Sequence, residues 1–225
     1  VSEGHGYGMI LAALMAGHDP QAREIFDGMY AYFRDHPTAF HPYLMSWSQG
    51  RSCAASTNAL DSASDGDLDI AFALLLADKQ WGSCGPVDYL SEAHRVLQDV
   101  KDGDVDPTHR WVLLGDWVAT GDPKYLSSTR SSDFMPDHYR SFEAVTGDTD
   151  WRTLLDHTYG LVTSLQAGPG AATGLLPDFV VALMTPPVAR LRSATARRAS
   201  VVQLRTNRGH HAWRKRPPAA PSHVS

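Results

Sequence analysis

Cysteine is scarce, with two residues in a chain of 225, too few for the disulfide framework that staples small secreted domains. Cys53 and Cys84 flank a helix predicted to begin near Asp67, whose roughly fourteen residues at about 1.5 Å each hold its ends ~21 Å apart. A disulfide needs Cα atoms within about 7 Å, so two free thiols are expected. No Cys/His spacing matches a zinc site, and no metal is expected. Long apolar runs are also missing: Phe72 to Ala77 is closed off by Asp78 and Lys79, far short of the roughly 20 residues of a spanning helix. Acids are absent from Val181 onward, where eight Arg and one Lys stand unopposed, leaving 11 basic against 25 acidic residues, a net −14, before it. The acidic part lacks the clustered basic face of a nucleic-acid binder and suits a neutral polyhydroxyl or cationic substrate. The chain opens on Val1-Ser2-Glu3-Gly4 with neither an initiator Met nor a basic and apolar leader. We expect its start to be missing.

What is present is helical periodicity. Met9-Ile10-Leu11-Ala12-Ala13-Leu14-Met15 is apolar on nearly every face, predicting a buried helix from His5 capped by Gly17. A second helix after Pro20 carries Ile25, Phe26, Met29, Tyr30 and Phe33 on one face. A polar segment from His36 to Ala63 is longer than most connections and reads as functional. The pattern then returns as a buried helix (67–80) followed by an amphipathic one (86–100), and again as helices over 136–146 and 150–166. Buried and amphipathic helices paired at a regular interval predict an all-α ring of inner and outer helices, with an α-solenoid as the rival.

Two carboxylate-bearing segments stand at the mouths of buried helices. Glu3 lies in Ser2-Glu3-Gly4-His5-Gly6-Tyr7-Gly8-Met9, among glycines that let a ligand approach closely. A lone Glu there is also what the helix macrodipole favours. The second, Ser64-Asp65-Gly66-Asp67-Leu68-Asp69-Ile70, crowds three acids immediately before an apolar helix, where they repel one another unless a site uses them. A calcium loop fits poorly, since the Glu that closes such a loop is replaced by Leu74 to Leu76.

These two segments resemble the hallmark motifs of glycoside hydrolase family 8. Leu114-Gly115-Asp116-Trp117, Arg130-Ser131-Ser132-Asp133-Phe134-Met135 and Gly174-Leu175-Leu176-Pro177-Asp178-Phe179 look like its bacterial endoglucanase branch. The resemblance implies an (α/α)6 barrel of six helical hairpins, about half of it present. It also implies endo-acting hydrolysis of β-1,4-glucan (cellulose or mixed-linkage glucan) with inversion and without a cofactor. Chitosan and xylan are alternative substrates within the family, and a non-catalytic carbohydrate-binding remnant is an alternative function. By the resemblance Glu3 is the general acid and Asp65 the carboxylate that grips and distorts the sugar, with Tyr7 beside them in the first motif as a substrate contact. The expected partner is a polysaccharide or oligosaccharide, with no nucleic acid and no membrane. The expected state is a monomer, and the location secreted or periplasmic.

Aromatic residues in loops, Tyr43, Trp47, Trp111 and Trp117, are candidate platforms for pyranose faces, whereas Trp81 and Trp151 read as core. Asp133 is a further candidate for the cleft lining. The Tyr-Asp-x-x-Arg segment from which the family usually supplies its catalytic base has no counterpart here, and the chain is expected to be inactive by itself. We therefore divide the sequence into a partial catalytic domain, 1–181, and a basic tail, 182–225, read as disordered or as an out-of-frame translation.

Overall fold

The computed structural model describes residues 1–50, 52, 60–118, 125–168 and 172–181. Cys53 and the proposed tail lie outside these residues.

Among the described residues six α-helices form three antiparallel hairpins: α1 (Ser2–Leu14) with α2 (Ala22–Arg34), α3 (Ser64–Trp81) with α4 (Tyr89–Asp99), and α5 (Pro136–Thr146) with α6 (Asp150–Ala167). α1 packs on α3 and α3 on α5, so these three make an inner row, each backed by its own hairpin partner. The pairing follows from composition. α3 buries Leu68, Ile70, Ala71, Ala73, Leu74, Leu75 and Ala77 around most of its circumference, as a helix enclosed by neighbours must. α4 buries one stripe, Tyr89, Ala93, Val96 and Leu97, and α6 another, Trp151, Leu154, Leu155, Thr158, Leu161 and Leu165. Each fully buried Leu contributes about 2 kcal/mol of apolar transfer energy.

The helix ends explain the boundaries. Asp88 caps α4 by accepting the Ser91 N–H at 3.0 Å, and α5 starts with Pro136 and stops at Gly147, whose φ of 69° few other residues tolerate. α1 ends at Leu14 with Met15 as its cap, so Gly17 is not the stop that the sequence suggests. α3 begins at Ser64 rather than near Asp67. The three acids are therefore inside its first two turns, not ahead of it. Cys84 is a free, exposed thiol.

α1 departs from the expectation of burial on nearly every face. Met9, Ala12 and Ala13 are buried, but Tyr7 (49%), Leu11 (61%) and Leu14 (59%) are exposed. α1 stands at the end of the inner row, and no described element covers that side.

The polar segment after α2 is partly ordered structure. Residues 36–47 fold over the start of α3, Pro37 bridges to Met45, and Leu44 and Met45 are fully buried. A short π-helical turn, Val100–Asp104, extends α4. Two-residue strands β1 (Thr129–Arg130) and β2 (Phe179–Val180) pair antiparallel in front of α5. No helix among the described residues is long and apolar enough to cross a membrane.

Candidate active site

The N-termini of the inner helices meet at one end of the row, held there by glycine. A Cβ on Gly6 would stand 2.5 Å from the Cβ of Asp69, and one on Gly66 would stand 2.4 Å from Ser2 Oγ. The backbones of α1 and α3 therefore touch. Glu3, next to Ser2, and Asp65, next to Gly66, become neighbours across that contact, and the Glu3 charge acts on the Asp65 carboxyl.

The two carboxylates have different surroundings. Glu3 is half-buried and accepts a hydrogen bond from the Tyr7 hydroxyl at 3.0 Å, one turn along α1. That bond, with the charges of Glu3, Asp69 and Asp65, pushes the Tyr7 phenol up to about 12. Asp65 is 6% exposed. Burial raises its carboxyl above the ordinary range and the Glu3 charge adds to this, while the Gly66 N–H at 2.8 Å and the Arg130 guanidinium oppose it.

Asp133, closing a 3₁₀ turn before α5, is the third member. It is 2% exposed, and burial followed by the Asp65 charge pushes it up to about 7, against the pull of Ser132 and Arg130. Arg130 is held by Asp178 at 3.2 Å and lies over the Phe179 ring at 4.9 Å. The small β1–β2 pairing thus aims a cation at Asp65 and Asp133. The sequence quotes Arg130 in a motif without revealing this role.

The aromatic candidates divide. The Trp47 carbonyl accepts the Ser2 N–H at 2.9 Å, placing this half-buried residue beside Glu3. Trp117 is half-buried and meets Tyr125 edge-on at 5.2 Å. It flanks Gly115, where a Cβ would be 2.3 Å from Ser62 O, on the approach to α3. Tyr43 is not brought to the carboxylates: its ring lies under Arg34 at 4.0 Å and Arg95 at 5.7 Å, on α2 and α4. Trp111 is 3% exposed and packs with Leu161, Leu165 and Val180, which corrects its reading as a sugar platform. Trp151, read as core, is buried at 2%, and Trp81 packs against Phe26 and Tyr89.

Beneath the site lies a set of acids that the sequence left without a role. Asp116 accepts from Thr38 Oγ1 (2.6 Å) and the Ser62 N–H (2.7 Å), and lies 3.2 Å from His41 Nδ1. Asp104 accepts from Ser62 Oγ at 2.8 Å, and Asp67 from the Met45 N–H at 2.8 Å. Asp69 pairs with His138 of α5 at 2.9 Å. Among the described residues no group of three His, Cys, Asp or Glu side chains is arranged to hold a metal ion. Half-exposed Glu3 beside buried Asp65 and Asp133, flanked by indoles, is equipped to move a proton and to bind hydroxyl groups.

A family model described as glycosyl hydrolases family 8 matches residues 1–213. The chain is 46% identical over 181 residues to a protein named β-glucanase from Niallia circulans, covering 80% of this chain and 44% of that one. It is 44% identical over 181 residues to an endoglucanase of Bacillus sp. strain KSM-330, covering 80% of this chain and 38% of that one. The fold superposes on the apo structure of a β-1,3-1,4-glucanase from Paenibacillus sp. X4 with a TM-score of 0.78 at 46% identity, over 80% of this chain and 47% of that one. The chain thus spans less than half the length of these three relatives.

Proposed function

The chain belongs to glycosyl hydrolases family 8, an (α/α)6-barrel family, and from that premise we propose that it supplies the acid side of a site for endo-acting, inverting hydrolysis of β-glucan. Glu3 is the general acid: its proton passes to the glycosidic oxygen as the bond to the anomeric carbon breaks, so that the leaving sugar departs as a neutral alcohol. Asp65 binds hydroxyls of the sugar at the cleavage point and favours its distorted ring. Inversion requires a water on the opposite face of the sugar and a base roughly 6.5 to 9.5 Å from the acid. That base is assigned to the part of the barrel beyond the three hairpins. Trp47, Trp117 and Tyr7 offer faces and a hydroxyl to neighbouring sugars, and Asp133 completes the cleft lining.

The observation that carries this reading is the glycine contact that seats Glu3 and Asp65 side by side on two inner-helix N-termini. Cellulose and mixed-linkage glucan are the substrates favoured by the names of the relatives. The acidic excess before Val181, 25 acidic against 11 basic residues, favours a second substrate, the cationic polymer chitosan. A polymer of this kind cannot enter a cell, so the protein works secreted or in the periplasm, without a cofactor and, once the ring is complete, as a monomer.

The test is a graft. Residues 1–181 replace the matching stretch of the Niallia circulans β-glucanase, and reducing ends released from carboxymethyl cellulose, barley β-glucan, xylan and chitosan are compared with those released by the 225-residue chain alone. Turnover of β-glucan by the graft, with product first appearing as the α-anomer in proton NMR, supports the proposal. Binding of cello-oligosaccharide without turnover points instead to a carbohydrate-binding remnant.

A further inference from the structure

The buried Asp69 carboxylate of α3 accepts the His138 Nε2–H from α5 at 2.9 Å. A carboxylate oxygen can only accept, so this ring nitrogen carries the proton. The His138 ring stacks on Phe72 of α3 at 4.1 Å and meets Phe142 of α5 edge-on at 6.1 Å. The second carboxyl oxygen of Asp69, Oδ2, is buried and finds no hydrogen-bond partner among the described residues.

Such a pair is a poor way to stabilise a wall between helices. Two polar groups give up water, one oxygen receives nothing in return, and a lining of Phe72 and Phe142 would accept apolar residues as readily. Replacing a buried pair by apolar groups of similar shape is often neutral or stabilising. What apolar contact cannot supply is direction. A hydrogen bond weakens steeply as the donor leaves its line, so this one fixes both the distance and the rotation of the start of α5 against α3.

Three segments meet at the pair, and each carries a carboxyl of the site. Asp69 lies one turn beyond Asp65 on the same face of α3. Its Cβ is the atom that a side chain on Gly6 would strike, at 2.5 Å, three residues beyond Glu3 on α1. His138 stands in the first turn of α5. Its neighbour Tyr139, fully buried, donates its hydroxyl to the Asp133 carbonyl, so Asp133 follows the start of α5. We propose that Asp69 and His138 are a positioning pair, whose bond sets where Asp133 stands relative to Asp65. The role rests on the proposed function, in which both carboxyls face the sugar, whereas the bond itself does not.

The bond is tested first, without reference to activity, by urea unfolding of a double-mutant cycle in the 225-residue chain. His138→Phe keeps the ring stack but leaves Asp69 unpaired. Asp69→Leu keeps the side chain's shape but leaves the imidazole N–H unpaired. Each is expected to lower the unfolding midpoint, whereas the double variant Asp69→Leu with His138→Phe should recover the wild-type midpoint or exceed it. In the graft, the double variant should lower kcat on barley β-glucan by roughly ten- to a hundredfold with KM little changed, as loss of alignment does. His138→Gln, whose Nε2–H can reach the same oxygen, should keep most of kcat. Midpoints unmoved by either single replacement, or losses that simply add in the double variant, would overturn the bond. Wild-type kcat in the double-variant graft, a rise in KM at unchanged kcat, or a His138→Gln graft as slow as the double variant would overturn the positioning role. A wild-type graft without activity would overturn the proposed function and this role with it, and the unfolding cycle would still decide the bond.

Discussion

Gly66 lies against Ser2 so closely that a Cβ added to it would stand 2.4 Å from Ser2 Oγ, 2.6 Å from its Cβ and 2.7 Å from its carbonyl carbon. Two of those atoms are not free to swing away, so α1 and α3 must separate to admit a methyl group. Gly66→Ala is expected to destabilise the chain by about 1–3 kcal/mol, the cost of overpacking a filled interior, and to move Glu3 away from Asp65. Gly28→Ala is the control. Nothing lies within 4 Å of a Cβ there, in the middle of α2, and relief of helix entropy should stabilise by roughly 0.5–1 kcal/mol. Urea unfolding of the two variants checks both signs.

Asp133 gives a pH prediction. Its carboxyl is raised from 3.8 to about 7, so between those values the folded chain holds a proton that the unfolded chain has lost. Stability must then fall as pH rises through that window, by at most about 4 kcal/mol for a shift of this size. Asp133→Asn removes the titration. Its expected signature is a flatter stability profile between about pH 4 and 7, with a gain over wild type at pH 8. A wild-type profile that rises across the same window would contradict the assignment.

Tyr7 donates to Glu3 from the exposed edge of α1. Removing its hydroxyl leaves the apolar ring in place, so Tyr7→Phe should unfold at nearly the wild-type temperature. In the graft it should lower kcat/KM on β-glucan roughly tenfold, the equivalent of one net hydrogen bond of about 1–1.5 kcal/mol. A loss of stability matching the loss of rate would show that the contact is structural only.

The exposed stripe of Tyr7, Leu11 and Leu14 on α1 is an apolar surface on what should be an inner helix. Such patches drive association. The 225-residue chain is expected to self-associate in sedimentation velocity at micromolar concentration, and Leu11→Glu with Leu14→Lys should shift it toward monomer. In the graft the same pair should destabilise, because there the stripe faces the rest of the ring.

Much of this architecture is legible in the sequence because helices α2, α4 and α6 write their buried faces at three- and four-residue spacing. The start of α3 is misplaced by three residues because Asp65 and Asp67 look like a polar approach, whereas Ala63 is the extended residue at φ −132° and the acids are already helical. Glu3 and Asp65 can be found from their glycine-rich motifs. Arg130 cannot, since its direction is set by pairing with a strand nearly 50 residues later and by Asp178. Tyr43 and Trp111 mislead for one reason: a loop aromatic is equally suited to packing, under two guanidinium groups in one case and against α6 in the other.

Proton donation by Glu3 is the central claim, and leaving-group dependence tests it most directly. In the graft, Glu3→Gln should lower turnover of barley β-glucan by about 10²–10⁴, the usual worth of a positioned general acid, while leaving hydrolysis of β-cellobiosyl fluoride, whose fluoride departs without protonation, close to wild type. Equal losses on both substrates, or turnover of glucan at the wild-type rate, would contradict the account.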